Sequence, residues 1–390
     1  MSALPLVRLR ELMLDVQTWN PLRSDEDDEF DYIDLSAVSQ ELKAISDARK
    51  LRCAEAPSRA RQLVKANDVL VSTVRPNLNG VALVTNEFDG ATASTGFCVA
   101  RPNPERLNAN YLFHWVKSDA FIKSMVMQAN GASYPAVSDK IVLESVIPLP
   151  DISEQRRIAA ILDKADALRA KRREALTQLD RLAQSIFVEM FGDPVINSRE
   201  LPLHKLGTVG KLDRGVSKHR PRNAPELLGG SYPLVQTGDV ANSGGYITRY
   251  STTYSELGLS QSKLWPSGTL CITIAANIAK TGVLCFDACF PDSIVGFTAD
   301  NEATVEYVRV WLSFLQKTLE DAAPESAQKN INLAILRDLQ IPLPHLKQQL
   351  VFLEKLRQIN ILRGSHEKQF AESGNFMTSL QHRAFRGEIR

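Results

Sequence analysis

The chain of 390 residues is long enough for two or more domains, and its 44% hydrophobic and 23% charged residues are typical of a globular protein. A net charge of +1 argues against a protein that holds nucleic acid through charge alone. No long apolar run or signal peptide is recognisable, so a cytoplasmic protein is expected. Five cysteines without a C-x-x-C pair predict reduced thiols rather than a zinc site or a disulfide framework.

Residues 1–150 are predicted to form a mixed α/β domain. Apolar and β-branched runs predict strands at Asp68–Val74, Val81–Thr85 and Gly96–Ala100, and a helix follows at Ala109–Met127. Polar loops rich in Asn, Gly and Ser lie between these elements. Such loops on a rigid scaffold often carry recognition, although each of them is also consistent with a plain turn.

Residues 151–196 are predicted to form one long helix, because the stretch from Ile152 to Met190 contains neither proline nor glycine. Its apolar residues recur in alternating steps of three and four, a heptad pattern typical of a helix that packs along another helix. The helix would be about 58 Å long; a long core helix of a bundle is the alternative. Arg172 interrupts the series, and the predicted seam residues are Ile158, Ile161, Leu168, Leu179, Leu182 and Ile186.

An internal repeat of about 195 residues predicts that 197–344 is a second domain of the same kind. Asp68–Thr73 corresponds to Gly268–Thr273, and the motif Ile147–Pro150 returns unchanged as Ile341–Pro344. The elements predicted here are strands at Leu270–Ile274 and Gly282–Phe286 and a helix at Val305–Leu319.

Residues 345–390 are predicted to form a second long helix, which Gly364 and Gly374 should weaken or kink. The order is therefore domain, helix, domain, helix. The two helices are expected to pack antiparallel as a coiled coil, which would relate the two domains by a pseudo-twofold; parallel packing is the disfavoured alternative. The seam residues predicted in this helix are Phe352, Leu356, Ile359 and Leu380.

Motifs for catalysis are absent from the sequence. Neither G-x-x-x-x-G-K-[ST], H-E-x-x-H nor G-x-S-x-G occurs, and the six histidines are scattered. We therefore predict a binding protein without a catalytic or metal site. Basic residues are concentrated in Lys211–Arg222 and in Arg169–Arg173 on the central helix. They can contact phosphates, or they can simply keep a surface soluble.

The segment Ile147–Leu168, IPLPDISEQRRIAAILDKADAL, resembles the central conserved region of the specificity subunit of type I restriction–modification systems. Leu179–Pro194 is similar to the end of that region, and Gly210–Val240 is similar to the start of a target recognition domain. Leu380–Ile389 resembles the C-terminal end of the family's second helix. The resemblance covers nearly the whole chain and depends chiefly on the central motif, since target recognition domains vary greatly within the family.

The resemblance implies two α/β target recognition domains, 1–150 and 197–344, each reading one half of a split, asymmetric target in double-stranded DNA. The antiparallel helices, 151–196 and 345–390, would set the unread gap and dock two methyltransferase subunits. Motor–nuclease restriction subunits would join them. S-adenosylmethionine, ATP and magnesium would belong to those partners, and this chain would need no cofactor.

Arg, Asn and Lys side chains in the polar loops can pair with base edges or phosphates. A coiled-coil scaffold with two protein- or glycan-binding domains is the alternative function, and the missing motifs disfavour a third, a lone modification enzyme. The residues predicted to contact DNA are Arg75, Asn77, Asn79, Ser133 and Tyr134 in the first domain and Arg214, Lys218, His219, Arg220, Asn277 and Lys280 in the second.

Overall fold

A computed structural model describes residues 4–131, 134–275, 278–322 and 331–389 of the chain. The chain divides into two compact units, which are Met1–Glu174 with Glu367–Arg390 and, between them in sequence, Ala175–His366. Each unit contains a mixed α/β domain and one half of each of two long helices. The predicted fold class is therefore confirmed, whereas the four predicted segment boundaries stay a prediction.

The first unit contains two four-stranded sheets, with helices packed on one of them. Its strands are β1 (Leu6–Arg8), β2 (Met13–Leu14), β3 (Glu29–Ile33), β4 (Val38–Ser39), β5 (Ala44–Ile45), β6 (Arg49–Arg52), β7 (Ala60–Leu63), β8 (Val69–Ser72), β9 (Val81–Leu83), β10 (Thr92–Ser94), β11 (Phe97–Pro102) and β12 (Val146–Pro148). Its helices are α1 (Ala109–Val116), α2 (Asp119–Gln128), α3 (Asp139–Glu144) and the first part of α4 (Ile152–Phe191). The sheet orders are β2-β11-β8-β9 and β6-β3-β10-β7, and β1-β12 and β4-β5 form two-stranded ribbons.

The helix predicted at Ala109–Met127 is in fact two helices, α1 and α2. The break falls at Ser118, whose backbone is extended and whose Oγ accepts a hydrogen bond from Phe121 N at 3.3 Å. A serine in this position satisfies a free N–H group at the start of a new helix. The apolar periodicity runs through the break, so the sequence pattern did not reveal it.

The second unit is built in the same way on a five-stranded and a four-stranded sheet. Its strands are β13 (Leu203–Lys205), β14 (Lys211–Arg214), β15 (Leu228–Leu234), β16 (Tyr246–Ile247), β17 (Thr252–Tyr254), β18 (Leu264–Trp265), β19 (Leu270–Thr273), β20 (Thr281–Leu284), β21 (Ala288–Cys289), β22 (Ile294–Thr298) and β23 (Gln340–Pro342). Its helices are α5 (Leu206–Val209), α6 (Thr237–Ala241), α7 (Glu256–Ser260), α8 (Glu302–Ala322), α9 (Leu333–Asp338) and the first part of α10 (Leu346–Ala384). The sheet orders are β14-β22-β19-β20-β16 and β17-β15-β21-β18, and β13-β23 forms a ribbon.

The repeated Ile-Pro-Leu-Pro motif occupies the same structural position in both units. In the first unit Leu6 pairs with Pro148 across the antiparallel β1-β12 ribbon, and in the second Leu203 pairs with Pro342 across β13-β23. A buried tyrosine hydroxyl donates to the carbonyl of that same proline in each unit. The two tyrosines are Tyr111, at 2.7 Å, and Tyr307.

A buried glutamine near the start of each long helix is also repeated. Gln155 Nε2 donates to the carbonyl of the last proline in the motif at 2.9 Å, and Gln349 Nε2 makes the same bond at 2.8 Å. The Oε1 atom of Gln155 accepts from Asn108 N at 2.9 Å, and that of Gln349 accepts from Thr304 Oγ1 at 2.8 Å. Because unsatisfied buried amides are costly, these paired bonds define a common framework for the two units.

Within each unit the halves of α4 and α10 run antiparallel. In the first unit Arg157 Nη2 reaches Ile389 O at 2.8 Å, and Arg172 Nη1, further along α4, reaches back to Gln369 O at 2.8 Å. In the second unit the ring of Phe187 packs against the ring of Phe352, with centroids 5.5 Å apart, and Asp180, earlier on α4, accepts a hydrogen bond from Arg363, later on α10.

The heptad seam needs correction at two of its predicted positions. Leu168 is 50% exposed and Leu182 is 44% exposed, whereas Leu162 and Phe187 are completely buried. The reason is that each half of α4 packs on the core of its own domain as well as on α10, so its buried face is turned towards the domain. Of the other predicted seam residues, the buried ones are Ile158, Phe352, Leu356, Ile359 and Leu380, and Ile161, Leu179 and Ile186 are half-buried.

Gly364 and Gly374 do not end the second long helix, and their predicted weakening or kinking of it stays a prediction. Helix α10 continues from Leu346 to Ala384 through both Gly364 and Gly374. A glycine inside a helix costs only about 1 kcal/mol relative to alanine, which the packing of the flanking turns offsets. A Cβ at Gly364 would meet no atom within 4 Å, so lack of space does not explain this glycine.

The five cysteines are free thiols, and Cys285 is the exposed one. No helix in the described part of the chain is both long and apolar enough to cross a membrane. Among the same residues, no group of three or more His, Cys, Asp or Glu side chains is placed to hold a metal ion.

Candidate nucleic-acid interface

The first candidate surface is the turn that joins β8 to β9, residues 73–80. Strand β8 lies between β9 and β11 in its sheet, and its residues Val69 and Val71 are buried. Within the turn, Arg75 and Asn79 both adopt left-handed backbone conformations, with φ of 49° and 48°. The turn is closed by Leu78 N, which donates to Arg75 O at 2.9 Å. A closed turn on a buried hairpin presents its side chains from a fixed base.

A second polar loop, around Tyr134, joins this turn. Arg75 N donates to Pro135 O at 2.7 Å, and Val74 forms an antiparallel bridge with Ala136. The guanidinium of Arg75 lies over the ring of Tyr134, with 4.7 Å from Cζ to the ring centroid. Tyr134 is 68% exposed. The structure therefore brings together two predicted contact residues that are far apart in sequence, as an exposed cation–π pair.

Asn79 has a different role from the one predicted. Its side chain is 7% exposed, and Nδ2 donates to Val116 O, at the end of α1, at 2.8 Å. A buried amide bonded to the protein cannot also read a base, so Asn79 is corrected from a contact residue to a structural one. Asn77, two residues earlier, is exposed. Ser133 lies outside the described residues.

The second candidate surface is the basic segment that begins at the last residue of β14, residues 214–222. Its backbone is fixed by one side chain, because Lys218 N and His219 N both donate to Gln261 Oε1, at 2.7 and 3.0 Å. Arg214 and Lys218 are exposed, whereas His219 is half-buried. The segment is therefore an ordered basic loop rather than a solvated tail.

Part of the positive charge in this segment is already neutralised. Asp292 lies 3.6 Å from Arg220 Nη2 and also accepts a hydrogen bond from Arg222 Nη2. The other guanidinium nitrogen of Arg220, Nη1, donates to Ser217 O at 2.6 Å. We conclude that Arg220 mainly holds the loop in shape, and that Arg214 and Lys218 are its more accessible cations.

A family model described as the type I restriction modification DNA specificity domain matches residues 59–178 and 203–369, which is more than half of the chain. The chain belongs to this family. The two matched segments contain the β8–β9 turn of the first unit and the basic segment of the second. Both candidate surfaces of this specificity subunit therefore lie within the domains that define the family.

Curated relatives and solved structures agree with this assignment. The chain is 21% identical over 333 residues to the type I restriction enzyme EcoBI specificity subunit of Escherichia coli, which covers 75% of this chain and 68% of that protein. It is 22% identical over 357 residues to the MjaVIII specificity subunit of Methanocaldococcus jannaschii, covering 84% and 80%.

Among solved structures, a chain from a study of complex assembly and conformational transition of the type I R-M system superposes with a TM-score of 0.57. It is 26% identical and covers 100% of this chain and 99% of that one. The S subunit from M. genitalium shares the fold, with a TM-score of 0.52, 13% identity, and coverage of 99% of this chain and 96% of that one.

Of the remaining predicted contacts of the specificity subunit, Lys280 directly precedes β20. Lys280 is half-buried and lines a cavity of about 250 Å³ together with Asp180, Gly244 and Arg309. Its backbone N–H donates to Thr273 Oγ1 at 3.1 Å. Lys280 thus lines a recess beside helix α4. Asn277 lies outside the described residues.

The basic cluster on α4 contributes to the packing of the helices in the first unit. The guanidinium groups of Arg169 and Arg173 each lie 5.6 Å from the centroid of the Phe370 ring. Arg173 Nε also lies 3.1 Å from Glu41 Oε1. Of the two roles considered for this cluster, the structure favours a structural one for these arginines.

Sequence reasoning missed two residues that shape the candidate surfaces. Gln261 holds the basic loop of the second unit, and Lys43 Nζ donates to Asn79 O at 2.6 Å beneath the turn of the first. Both act across 36 or more positions in the sequence. A single sequence contains no signal for such contacts, because neither residue belongs to a local motif.

Proposed function

We propose that this specificity subunit recognises a split, asymmetric target in double-stranded DNA, with each unit reading one half. The observation that carries the proposal is that the two units have the same buried hydrogen bonds but different residues at their exposed turns. The two units share the buried tyrosine and glutamine bonds, whereas their exposed turns carry different polar residues. A duplicated scaffold with different reading surfaces is what an asymmetric target requires.

The first unit would read its half mainly through Arg75 and Tyr134, with Asn77 beside them. The guanidinium of Arg75 is exposed and oriented by the tyrosine ring, and an arginine can make a bidentate pair with guanine. The ring of Tyr134 can stack on a base or pack against a sugar. The second unit would use Arg214 and Lys218, which are suited to phosphates or to guanine.

The two long helices would set the unread gap in the target and dock two methyltransferase subunits. Motor–nuclease subunits would then complete a restriction complex. S-adenosylmethionine, ATP and magnesium would bind to those partners, and this chain would act as a non-catalytic recognition subunit. Its family and its likeness to a chain from a study of complex assembly of the type I R-M system support this assignment.

The test is to map methylated bases in DNA exposed to the cognate methyltransferase with and without this chain. We expect methylation at a bipartite sequence only when the chain is present. The Arg75→Ala variant should relax one half of that sequence. Arg8→Ala, which removes an exposed arginine from the β1-β12 ribbon, is the matched control and should leave it unchanged.

Methylation that does not depend on the chain, or that has no sequence preference, would contradict the proposal. A complex that instead binds proteins or glycans would favour the scaffold alternative.

The spacer role has its own test. Insertion of one helical turn in each long helix, at equivalent levels, adds about 6 Å, which is just under two base pairs of B-DNA. The unread gap in the mapped target should grow by one or two base pairs. A gap of unchanged length would show that the helices do not set it.

A further inference from the structure

The β8–β9 turn of the first unit is held in place from beneath by Lys43. This lysine lies at the tip of the β4-β5 ribbon in a left-handed conformation, with φ of 54°. Its ammonium crosses to the turn and donates to Asn79 O at 2.6 Å. A charged donor on a backbone carbonyl is among the stronger hydrogen bonds in proteins. The bond therefore ties one hairpin to the end of another.

Asn79 is held from a second direction by helix α1. Its Nδ2 donates at 2.8 Å to the carbonyl of Val116, the last residue of that helix. The backbone of Asn79 has φ of 48°, a conformation that asparagine tolerates better than most residues. One residue therefore receives a bond at its carbonyl and makes one with its side chain, which fixes the C-terminal end of the turn.

The same helix α1 also binds α4. His114 is completely buried, and its Nε2 lies 2.7 Å from Asp163 Oδ1. Asn110 Nδ2 donates to Asp163 Oδ2 at 2.8 Å, and Lys117 Nζ donates to Asp166. Helix α1 thus contacts the long helix through polar side chains and contacts the turn through its last carbonyl.

Two features of the Lys43–Asn79 contact reduce the free energy of unfolding rather than increase it. Burial, and next the charge of Lys117, lowers the pKa of Lys43 to about 8. A hydrocarbon side chain at residue 43 would avoid that cost. The Oδ1 atom of Asn79 also has no hydrogen-bond partner among the described residues. A contribution to stability therefore does not explain the lysine at residue 43 or the asparagine at residue 79.

We propose that Lys43 and Asn79 are positioning residues for DNA recognition, which hold the Arg75–Tyr134 pair at a fixed place relative to helix α4. The inference rests on the proposed function of the chain. The second unit provides an internal comparison, because Ala279 occupies the corresponding place in the β19–β20 turn with φ of 56° and has no hydrogen-bonding side chain. Loss of this support should therefore affect one half of the target only.

The test uses the complete complex with its methyltransferase, and it compares Lys43→Met and Asn79→Gly with two matched controls. Lys65→Met changes another lysine of the same unit, one that is exposed, and Asn67→Gly changes another asparagine with positive φ. Glycine keeps the left-handed backbone accessible while it removes the amide. Discrimination between bases is measured separately for each half of the target, with melting temperature and affinity for unrelated DNA recorded alongside.

We expect Lys43→Met and Asn79→Gly to lower discrimination in the half read by Arg75 by about tenfold, the usual effect of one lost base contact. The other half, the affinity for unrelated DNA and both controls should be unchanged. Lys43→Arg, which keeps a cationic donor, should restore most of the discrimination. Hydrogen exchange at the Leu78 amide should rise in the two test variants and not in the controls.

Unchanged discrimination and exchange in both test variants would overturn the inference, as would equal loss in both halves or a Lys43→Arg variant that behaves like Lys43→Met. A wild-type complex without any sequence preference would instead refute the proposed function. The exchange measurement needs no DNA, so it separates the two failures.

Discussion

The two units of the chain share their internal framework but differ at their exposed turns. Gln155 and Gln349 make the same bonds to the same motif, and Tyr111 and Tyr307 cap the same proline carbonyl. The turn of the first unit, by contrast, presents a cation–π pair supported by the half-buried Lys43. The second unit presents a separate basic loop held by Gln261. The bonds that attach each domain to its helix pair are therefore common to the two units, whereas the side chains at the exposed turns differ.

The largest loss of stability is expected at Phe187, in the aromatic cluster of the second unit. Phe187 is completely buried, with the rings of Tyr307 and Phe352 at 4.9 and 5.5 Å. Phe187→Ala should cost about 3–5 kcal/mol and destabilise the second unit selectively, because it leaves a cavity in a packed core. Hydrogen exchange resolved by unit measures this effect. Phe376 is 61% exposed, so Phe376→Ala is the control and should change the stability of either unit little. If Phe187→Ala destabilised both units equally, the two units would not have separate cores.

A smaller and symmetric effect is expected from the repeated glutamines. Gln155→Ala and Gln349→Ala each leave buried partners unsatisfied and should each cost about 1–3 kcal/mol. Each variant should lower the stability of its own unit by a similar amount in thermal unfolding. Gln128→Ala, at an exposed glutamine, is the control and should leave stability unchanged. If one of the two glutamines could be replaced without loss, the two frameworks would not be equivalent.

The smallest stability effect concerns a contact found in the first unit. Burial raises the pKa of Asp163, but hydrogen bonds from His114 and Asn110 outweigh it and leave the pKa below its usual range. The folded state therefore favours the carboxylate. The Asp163 carboxylate therefore stabilises the folded state fully at pH values above its pKa in the unfolded chain. This stabilisation is lost as the pH falls through its lower pKa in the folded state.

Asp163→Asn should therefore destabilise the first unit at pH 7 by about 1 kcal/mol, a value that allows for solvent screening of a partly exposed group. The difference from wild type should shrink as the pH falls below about 4. Thermal unfolding as a function of pH measures it, with Glu189→Gln on an exposed part of α4 as control. A loss that is constant with pH would mean that the carboxylate charge is unimportant.

The repeat, the long helices and the family could be predicted because each depends on local pattern. Proline-bounded motifs and apolar periodicity are visible in one sequence. Burial at single positions could not be predicted in the same way. Asn77 and Asn79 lie in one polar loop, yet one is exposed and the other is buried against α1. Leu168 and Leu182 fit the heptad but face outwards, because the domain cores as well as the partner helix decide which face is covered.

The surface residues were predicted by type and could be placed only by the fold. Arg75 and Tyr134 lie in separate loops of the sequence, and no sequence pattern indicates that these loops pair through Val74 and Ala136. The charge of Arg220 is what makes it a predicted contact, but Asp292, 70 or more residues away, pairs with both Arg220 and Arg222. Long-range partners of this kind determine whether a polar residue is free to bind a ligand.

The most direct test of the account is a comparison of Arg75→Ala with Lys218→Ala in the assembled methyltransferase complex, with base preference mapped at every position of the target. One variant changes the first unit and the other changes the second. The account predicts that each variant relaxes preference in a different half, by about 1–3 kcal/mol per lost base contact, and leaves the remaining half intact. Relaxation of the same half by both variants, or of both halves by either one, would contradict it.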